Sequence, residues 1–500
     1  MIPSKYQSNI YDVAKNTQHN IAVLATAGSG KTSTIIEIAK LLPSYKKSIF
    51  LAFNKSIVEE LRSRIPSHIE CSTIHSMGFS SLIRYYRLNF RVNQYKSLMF
   101  IEEKIKQKKQ EGFWDKKVSK KEKWVYCYNL VDIIDLVRMN NVNRDIESID
   151  QICSYYDIIP IYGEVEDSID IMNRIDQYNL SFDKKNNNID FTDMVSLPAL
   201  NKKIHIEQYD NVFVDEAQDL NKIQHAFIER LVKPKGRLIL VGDKRQAIYS
   251  FAGADSNSFD LLANRPNTQQ LPLSISYRCA KNIVLSAKEI YDEIEPFEHA
   301  EEGEVRGGSF DEIKEGDMVI CRNNRPLIQL FFMLLEENKP AYIYGKDLEK
   351  ALLSLVSKVR KFDKDKAIEK LEGEIEKVKK QLEERGVEKK NITTHPKYVS
   401  IYEKVKAITI IAEHCQHTLE IEQFLETMFA DKANAIRLMT IHKSKGLESE
   451  RVFIIERFEG KDLIPSPYAT QPWQITQEMN LKFVAYTRAK KQLIILPDLK

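Results

Sequence analysis

Paired cysteines are missing from this sequence. Its 500 residues include six cysteines, which are scattered, with no C-x-x-C pair and no spacing suited to a metal or a disulfide framework. A cysteine-based zinc site and a disulfide-stapled fold are therefore excluded. We expect reduced, mostly buried thiols in an intracellular protein.

Long apolar runs and a large charge excess are missing too. The first residues, M-I-P-S-K-Y-Q-S-N-I, lack the apolar core of a signal peptide, and no stretch approaches the roughly 20 apolar residues of a membrane span. We therefore expect a cytoplasmic protein with no membrane partner. The formal net charge is only +3, so any nucleic-acid surface has to be a local patch.

Apolar runs typical of strands alternate with longer helical patterns along the chain. This alternation predicts parallel α/β sheets, and the length predicts several domains. The strand-like runs are I-A-V-L-A, S-I-F-L-A-F, N-V-F-V-D, R-L-I-L-V-G, D-M-V-I-C, R-V-F-I-I and Q-L-I-I-L. Two mainly helical segments, residues 77–188 and 347–434, separate groups of these runs and have the position of insertions.

The second helical segment carries a heptad pattern. Its apolar positions are Ile368, Leu371, Ile375, Val378 and Leu382, followed by a second periodic stretch at Ile401, Val405, Ile408 and Ala412. The first run is about two heptads long, which is short for a dimer. We expect an antiparallel helical hairpin within one chain, and intermolecular pairing is the alternative.

The stretch A-T-A-G-S-G-K-T, Ala25 to Thr32, has the composition of a phosphate-binding loop between a strand and a helix. Gly28 and Gly30 permit backbone angles that point N–H groups at phosphate oxygens. Lys31 would reach the β and γ phosphates, and the Thr32 hydroxyl would hold Mg²⁺.

Such a loop needs a carboxylate at the end of a neighbouring strand to hold the metal. The stretch N-V-F-V-D-E-A-Q-D supplies one, because the apolar run ends at Asp215. Glu216 follows as a candidate general base that orients the attacking water. An acidic turn after a buried strand is the alternative interpretation of these two residues.

The ordered set of motifs resembles the superfamily 1 DNA helicases of the UvrD/Rep/PcrA type, in a compact form expected of a bacterial or phage member. The resemblance covers nearly the whole chain. Its motifs are K-Y-Q-S-N-I, A-T-A-G-S-G-K-T, L-A-F-N-K-S, S-T-I-H-S, V-D-E-A-Q-D, L-V-G-D-K-R-Q-A-I-Y-S-F-A-G-A, S-Y-R-C, V-I-C-R-N-N, L-M-T-I-H-K-S-K-G-L-E and F-V-A-Y-T-R-A-K.

The resemblance implies an ATP site with Mg²⁺. Arg278 and Arg488 look like the two arginines that a second domain delivers to the γ phosphate, and Gln246 looks like its sensor. Gln7 would read adenine, Tyr277 would stack on it, and Glu448 would accept a ribose hydroxyl. The implied catalytic residues are Lys31, Glu216, Gln246, Arg278 and Arg488, with Thr32 and Asp215 as metal ligands. The implied ATP-binding set is Gln7, Ala27, Gly28, Ser29, Gly30, Lys31, Thr32, Ser33, Tyr277, Arg278, Gly446, Glu448 and Arg488.

The resemblance also implies single-stranded DNA and its junctions with duplex as partners. Phe53, Tyr249 and Phe251 are the rings expected to stack on bases, which suits a motor that must pass any sequence. The remaining implied contacts are Asn54, Thr73, His75, Arg322, Asn323, Thr440 and His442.

The implied fold is α/β, with two RecA-like P-loop domains that each carry a mainly helical insertion. The expected domains are 1A (1–76 and 189–265), 1B (77–188), 2A (266–346 and 435–500) and 2B (347–434, with the helical hairpin).

The leading hypothesis is a monomeric ATP-dependent helicase that unwinds DNA in the 3′–5′ direction during replication, repair or recombination, with proteins of those processes as partners. The direction is carried over from the family. A translocase that strips proteins from single strands and unwinds weakly is the first alternative, since the second insertion is short. A P-loop kinase or switch that binds no nucleic acid is the second, but it leaves the distal motifs unexplained.

Overall fold

The computed structural model describes residues 3–52, 55–112, 120–156, 158, 160, 163–248, 258–384, 389–393, 396–467, 469 and 471–499. The chain divides into two compact units. Unit 1 comprises Met1–Ala25 and Gly30–Leu273, and unit 2 comprises Thr26–Ser29 and Ser274–Lys500. Each unit contains one six-stranded sheet in which all pairings are parallel.

The sheet of unit 1 has the strand order β3-β2-β6-β7-β1-β8. Its strands are β1 Asn20–Ala25, β2 Ser48–Ala52, β3 Ile69–Thr73, β6 Tyr209–Val214, β7 Val232–Gly242 and β8 Thr268–Leu273; the short β4 Arg91–Val92 and β5 Asn188–Ile189 pair separately. The central strands are buried on both faces, as their continuous apolar sequences require. Each face carries its own hydrophobic core.

Helices cover both faces of this sheet and also form a separate helical segment. They are α1 Lys5–Asn16, α2 Lys31–Leu41, α3 Lys55–Arg62, α4 Ile74–Tyr86, α5 Lys96–Gln110, α6 Lys120–Met139, α7 Ile146–Tyr155, α8 Glu164–Leu180, α9 Phe191–Leu200, α10 Lys222–Leu231 and α11 Ser258–Ala263. The helices α5 to α8 enclose their own apolar core. At Gly78 of α4, an added Cβ would lie 1.9 Å from the carbonyl oxygen of Met194, so only glycine allows α4 and α9 to pack this closely.

A buried ionic cluster connects the helical segment to α9. Lys96 Nζ donates to Asp193 at 2.6 Å, and Arg138 donates to both Asp190 and Asp193 at 2.7 Å. Lys96 and Asp193 are fully buried, so their pairing offsets the free-energy cost of removing two charges from water. Asp190 also caps α9, which fixes the start of that helix.

The sheet of unit 2 has the strand order β11-β18-β15-β12-β14-β13. The strands of unit 2 are β9 Ile275–Ser276, β10 Glu295–Pro296, β11 Glu304–Gly307, β12 Met318–Cys321, β13 Ala341–Ile343, β14 Ile436–Thr440, β15 Ser449–Ile455, β16 Arg457–Phe458, β17 Lys461–Asp462 and β18 Ala489–Leu496. Its helices are α12 Lys281–Lys288, α13 Asn324–Glu336, α14 Lys346–Val359, α15 Lys364–Glu384, α16 Lys389–Ile392, α17 Pro396–Glu413, α18 Thr418–Phe429, α19 Ile441–Ser444 and α20 Pro472–Tyr486.

The heptad stretch forms α15, which packs against α17 of the same chain. The two helices run antiparallel, because Lys364 at the start of α15 donates to the Cys415 carbonyl just after α17, while Glu372 pairs with Lys406. Heptad positions including Leu371, Ile375 and Leu382 are buried in this arrangement. The apolar stripe of α15 is therefore covered within the chain.

One expected domain boundary is wrong. Residues from 266 onward were assigned to the second α/β domain, but Thr268–Leu273 is the strand β8, which pairs along its whole length with β1. The sequence T-Q-Q-L-P-L is too polar to be recognised as a strand, and as an edge strand it needs to bury only one side.

None of the helices in the described part of the chain combines the length and the hydropathy of a membrane span.

Candidate functional site

Two glycines shape the loop between β1 and α2. Gly28 and Gly30 have φ angles of +71° and +79°, a region that residues with a Cβ rarely adopt. Space is also short at Gly28, because an added Cβ would lie 2.5 Å from the Cβ of Arg278. No side chain caps the first turn of α2, which begins at Lys31. The N–H groups of that turn have the orientation and dipole that bind anions.

The carboxylates after β6 meet the first residues of α2. Thr32 Oγ1 donates to Asp215 Oδ2 at 3.2 Å, and Lys31 Nζ lies 3.9 Å from Glu216 Oε1. Glu216 has a φ of +51°, an unusual backbone conformation for a glutamate, which holds its side chain directly after the strand. The structure thus brings together the four residues that the sequence singled out as loop and carboxylate partners.

The electrostatics of this carboxylate pair suit a divalent cation. Burial, and then the charge of Glu216, raise the pKa of Asp215 to about 7, although Lys31 acts in the opposite direction. The Thr32 hydroxyl and the Asp215 carboxylate are oxygen donors of the kind that Mg²⁺ prefers. A cation bound there would offset the repulsion between the two carboxylates, so these residues fit the metal that the loop motif implies.

A chain of hydrogen bonds continues from Glu216 to the strand β7. The Gln218 side chain donates to Glu216 and accepts the backbone N–H of Asp243 at 3.0 Å. Gln246 then donates to Asp243 Oδ2 at 2.6 Å. Gln218 and Asp243 were missed as site residues, although both lie inside quoted motifs: Asp243 directly follows β7, and Gln218 lies in the short helical turn after β6. They connect the expected sensor Gln246 to the expected base.

Gln7, the expected adenine reader, is buried on α1. Its side chain accepts the N–H of Ser4 at 3.0 Å and donates to Thr34 Oγ1 of α2 at 3.1 Å. Its amide nitrogen also lies 3.8 Å from the Cβ position of Gly30. Gln7 therefore sits beside the phosphate loop and ties α1 to α2.

In unit 2, Arg278 and Glu448 form an ion pair. Arg278 Nε lies 2.6 Å from Glu448 Oε2, and Lys490 Nζ lies 2.8 Å from Oε1 of the same carboxylate. Partial burial would raise the pKa of Glu448, but the hydrogen bond from Lys490 and the charge of Arg278 lower it. Each carboxylate oxygen of Glu448, the expected acceptor of a ribose hydroxyl, is thus paired with a cation. Tyr277, the residue before Arg278, contacts Phe297, and their ring centroids lie 5.0 Å apart.

Arg488 is fully buried behind this pair. Its guanidinium donates to the carbonyls of Val484 at 2.9 Å and Leu447 at 3.1 Å, and to Thr487 Oγ1 at 3.2 Å. Leu447 lies between Gly446, which has a φ of +87°, and Glu448. The structure therefore brings Arg488 to the backbone beside Glu448, and its side chain is only 1% exposed.

Two of the expected DNA contacts lie at the start of α4. Thr73 caps this helix, with its hydroxyl accepting the N–H of Ser76 at 3.1 Å. His75 contacts the ring of Phe191 edge to face at 6.1 Å, and burial lowers the pKa of His75. Phe191 was missed, although it is half exposed and follows the helix cap Asp190. The pair forms an aromatic surface at the end of β3.

The expected contacts of unit 2 lie at the ends of two neighbouring strands. Cys321 pairs with Thr440 at the ends of β12 and β14, which places Arg322 near His442. Burial, and then the charges of Arg322 and Lys443, lower the pKa of His442 to about 3, so its ring is neutral at physiological pH. Asn323 caps α13. The remaining expected contacts, Phe53, Asn54, Tyr249 and Phe251, lie outside the described residues.

Comparison with known proteins agrees with this arrangement of motifs. A family model described as the UvrD/REP helicase N-terminal domain matches residues 7–267, just over half of the chain. F-box DNA helicase 1 of Gallus gallus is 24% identical over 96% of this chain and 47% of its own length. F-box DNA helicase protein 1 of Schizosaccharomyces pombe is 25% identical over 98% of this chain and 57% of its own length. An ATP-dependent DNA helicase Rep of Buchnera aphidicola is 26% identical over 52% of this chain. The chain spans about half of the length of the first two relatives.

Proposed function

Because the chain belongs to the UvrD/REP helicase family, we propose that it is an ATP-dependent DNA helicase that moves along single-stranded DNA in the 3′–5′ direction. One observation carries the ATPase part of this proposal. Thr32 lies within hydrogen-bond distance of Asp215, and Lys31 lies within ion-pair distance of Glu216, where the start of α2 meets the end of β6. These residues supply the phosphate contact, the metal ligands and the base that phosphoryl transfer to water uses.

In the proposed reaction, Lys31 and the first N–H groups of α2 bind the β and γ phosphates of ATP. Thr32 and Asp215 would hold Mg²⁺, which neutralises phosphate charge when it is bound. Glu216 accepts a proton from the attacking water while the water oxygen bonds to the γ phosphorus and ADP leaves. The hydrogen bond from Gln218 orients the Glu216 carboxylate for this step.

We assign the remaining nucleotide contacts by the family resemblance. Arg278 and Arg488 stabilise charge on the transferring phosphoryl group, and Gln246 senses it. Gln7 and Tyr277 contact the adenine, and Glu448 contacts the ribose. The ion pair between Arg278 and Glu448 in unit 2 supports the assignment of these two residues to one site.

We assign single-stranded DNA to the ends of the strands in each sheet. Thr73, His75 and Phe191 contact it in unit 1, and Arg322, Asn323, Thr440 and His442 contact it in unit 2. Phe53, Tyr249 and Phe251 stay the proposed stacking rings. The mainly helical residues 77–188 and 347–434 are the proposed accessory domains 1B and 2B, and the motor is proposed to act as a monomer.

A translocase that strips proteins from single strands is the second candidate function. The short second insertion favours it, because residues 347–434, whose described helices belong to α14 to α18, are few for an accessory domain that engages a duplex. The two candidates share the ATPase site and differ in strand separation.

Strand separation on tailed duplexes tests this proposal. With ATP and Mg²⁺, the protein is expected to separate a duplex with a 3′ single-stranded tail and to leave a 5′-tailed duplex paired. A blunt duplex and the Lys31→Ala variant are the controls, and neither should give separation. Separation of only the 5′-tailed duplex would contradict the direction. Strong ATP turnover without separation on any substrate would favour the stripping translocase.

A further inference from the structure

Arg322 is bound along one edge by a carboxylate that is distant in sequence. Its Nε donates to Glu478 Oε1 at 3.0 Å and to Oε2 at 3.1 Å, and its Nη2 donates to Oε1 at 2.8 Å. Arg322 follows β12 and Glu478 lies on α20, so the pair connects two elements that are 156 residues apart in sequence. A side-on pairing of this kind fixes the plane of the guanidinium.

Glu478 is itself held firmly. Its side chain is 6% exposed, and Oε2 also accepts the backbone N–H of Ser466 at 3.0 Å. Both carboxylate oxygens therefore have partners in a buried setting. A buried ion pair of this type adds little net stability, because desolvation offsets most of the attraction. Stability alone is thus a weak reason for this sequence to bury a carboxylate behind Arg322.

The other edge of the Arg322 guanidinium, at Nη1, makes no bond to the part of the protein that the structure describes. Among the described residues, Nη1 has no hydrogen-bond partner, and the Arg322 side chain is 25% exposed. Arg322 also borders a cleft of about 150 Å³ with Asn323 and Lys404, while Glu403 contributes the one carboxylate of the lining. Glu478 does not line this cleft. An arginine has five N–H donors, so the Nη1 edge can bind a phosphate while the Nε edge stays on Glu478.

The imidazole of His442, which follows the neighbouring strand β14, carries no charge that could pair with Glu478. Burial, and then the positive charges of Arg322 and Lys443, keep His442 neutral, with a pKa of about 3. Among the described residues, Arg322 is the only side chain that bonds to the Glu478 carboxylate.

We propose that Glu478 is a positioning residue for DNA binding: it holds Arg322 by the Nε edge so that the Nη1 edge faces a phosphate of single-stranded DNA. This inference rests on the proposed function. The inference gives α20 a role in DNA binding, whereas the motif F-V-A-Y-T-R-A-K, which begins on this helix, indicates only a role in ATP binding. Glu478 acts through Arg322 and does not contact DNA itself.

The Glu478→Gln variant tests this inference, because it removes the charge and keeps the shape. We expect the dissociation constant for a labelled oligothymidylate to rise roughly tenfold, and the slope of log affinity against log salt to fall by about 1, as for the loss of one phosphate contact. The DNA concentration for half-maximal ATP turnover should rise more than turnover at saturating DNA falls. A purely structural role would lower the melting temperature and leave the salt slope unchanged.

Two further variants make the test specific. Glu312→Gln is the matched control, because Glu312 pairs with Arg306 and accepts the N–H of Ser309 in a similar arrangement on unit 2. It should bind DNA like the unmodified protein. In an Arg322→Ala background, Glu478→Gln should add no further loss of affinity, and if the two losses add in full, the inference is wrong.

The remaining outcomes are also decisive. A folded Glu478→Gln protein with unchanged affinity and salt slope would overturn the inference. If that variant does not fold, Glu478→Asp, which keeps the charge with a shorter reach, should show a smaller loss that again vanishes in the Arg322→Ala background. Failure of the unmodified protein to bind the oligonucleotide would instead overturn the proposed function.

Discussion

Replacing Lys31 with alanine is expected to abolish ATP turnover while the chain stays folded. Lys31 is the first residue of α2, and its ammonium lies 3.9 Å from Glu216. Its loss removes the positive charge from the place where the β and γ phosphates bind, and such a charge is worth several kcal/mol in the transition state. The fold should survive, because Lys31 is absent from the hydrophobic cores of unit 1.

Turnover at saturating ATP and Mg²⁺ measures this effect, and we expect a fall of at least about 100-fold. Lys40→Ala is the matched control, because Lys40 lies on the same helix and forms an exposed pair with Glu37. It should keep full activity. A Lys31→Ala protein that hydrolyses ATP at the normal rate would mean that this loop is not the catalytic phosphate site.

The second large effect is expected from Glu216→Gln. The amide cannot accept a proton from the attacking water, so hydrolysis should fall by about 10² to 10⁴-fold, the usual contribution of a general base. Binding of ATP should persist, because Lys31, Thr32 and Asp215 are unchanged. Burial is the larger cause of the raised pKa of Asp215, and the substitution removes the second cause, the charge of Glu216, so binding of the metal nucleotide should not suffer from a new charge conflict.

Nucleotide binding and single-turnover hydrolysis, measured separately on this variant, test the assignment. Glu37→Gln serves as the control, since Glu37 is an exposed carboxylate on α2 and should leave both quantities unchanged. If Glu216→Gln lost ATP binding instead, Glu216 would be a metal-site or structural group. Retention of normal hydrolysis would remove Glu216 as the base.

Most of the interior strands of the two sheets could be predicted from the sequence, and the edge strands could not. Each of the seven predicted strand runs overlaps an observed strand, because strands buried on both faces need continuous apolar sequences. The four edge strands β3, β8, β11 and β13 were missed, and so was the interior strand β14. Several are short or polar, such as A-Y-I in β13 and T-Q-Q-L-P-L in β8, and edge positions tolerate this because only one side is paired.

In the candidate site, residues within one motif could also be predicted, and partners that are distant in sequence could not. Lys31, Thr32, Asp215 and Glu216 could be predicted, because a loop after one parallel strand and a carboxylate after another meet at the same edge of a sheet. The partners that orient them could not. Glu478 lies 156 residues from Arg322, and no local pattern indicates which carboxylate reaches which arginine. The burial of Arg488 also follows from tertiary packing and not from its motif.

ATP turnover with and without single-stranded DNA is the most direct test of the central claim that this chain is a DNA-driven ATPase motor. We predict slow turnover of the protein alone and a rate at least about tenfold higher with saturating oligothymidylate, because a motor couples hydrolysis to movement on its track. Lys31→Ala gives the background rate in both conditions. A turnover rate that is clearly above this background but identical with and without DNA would contradict the account and would favour a nucleotide switch that binds no nucleic acid.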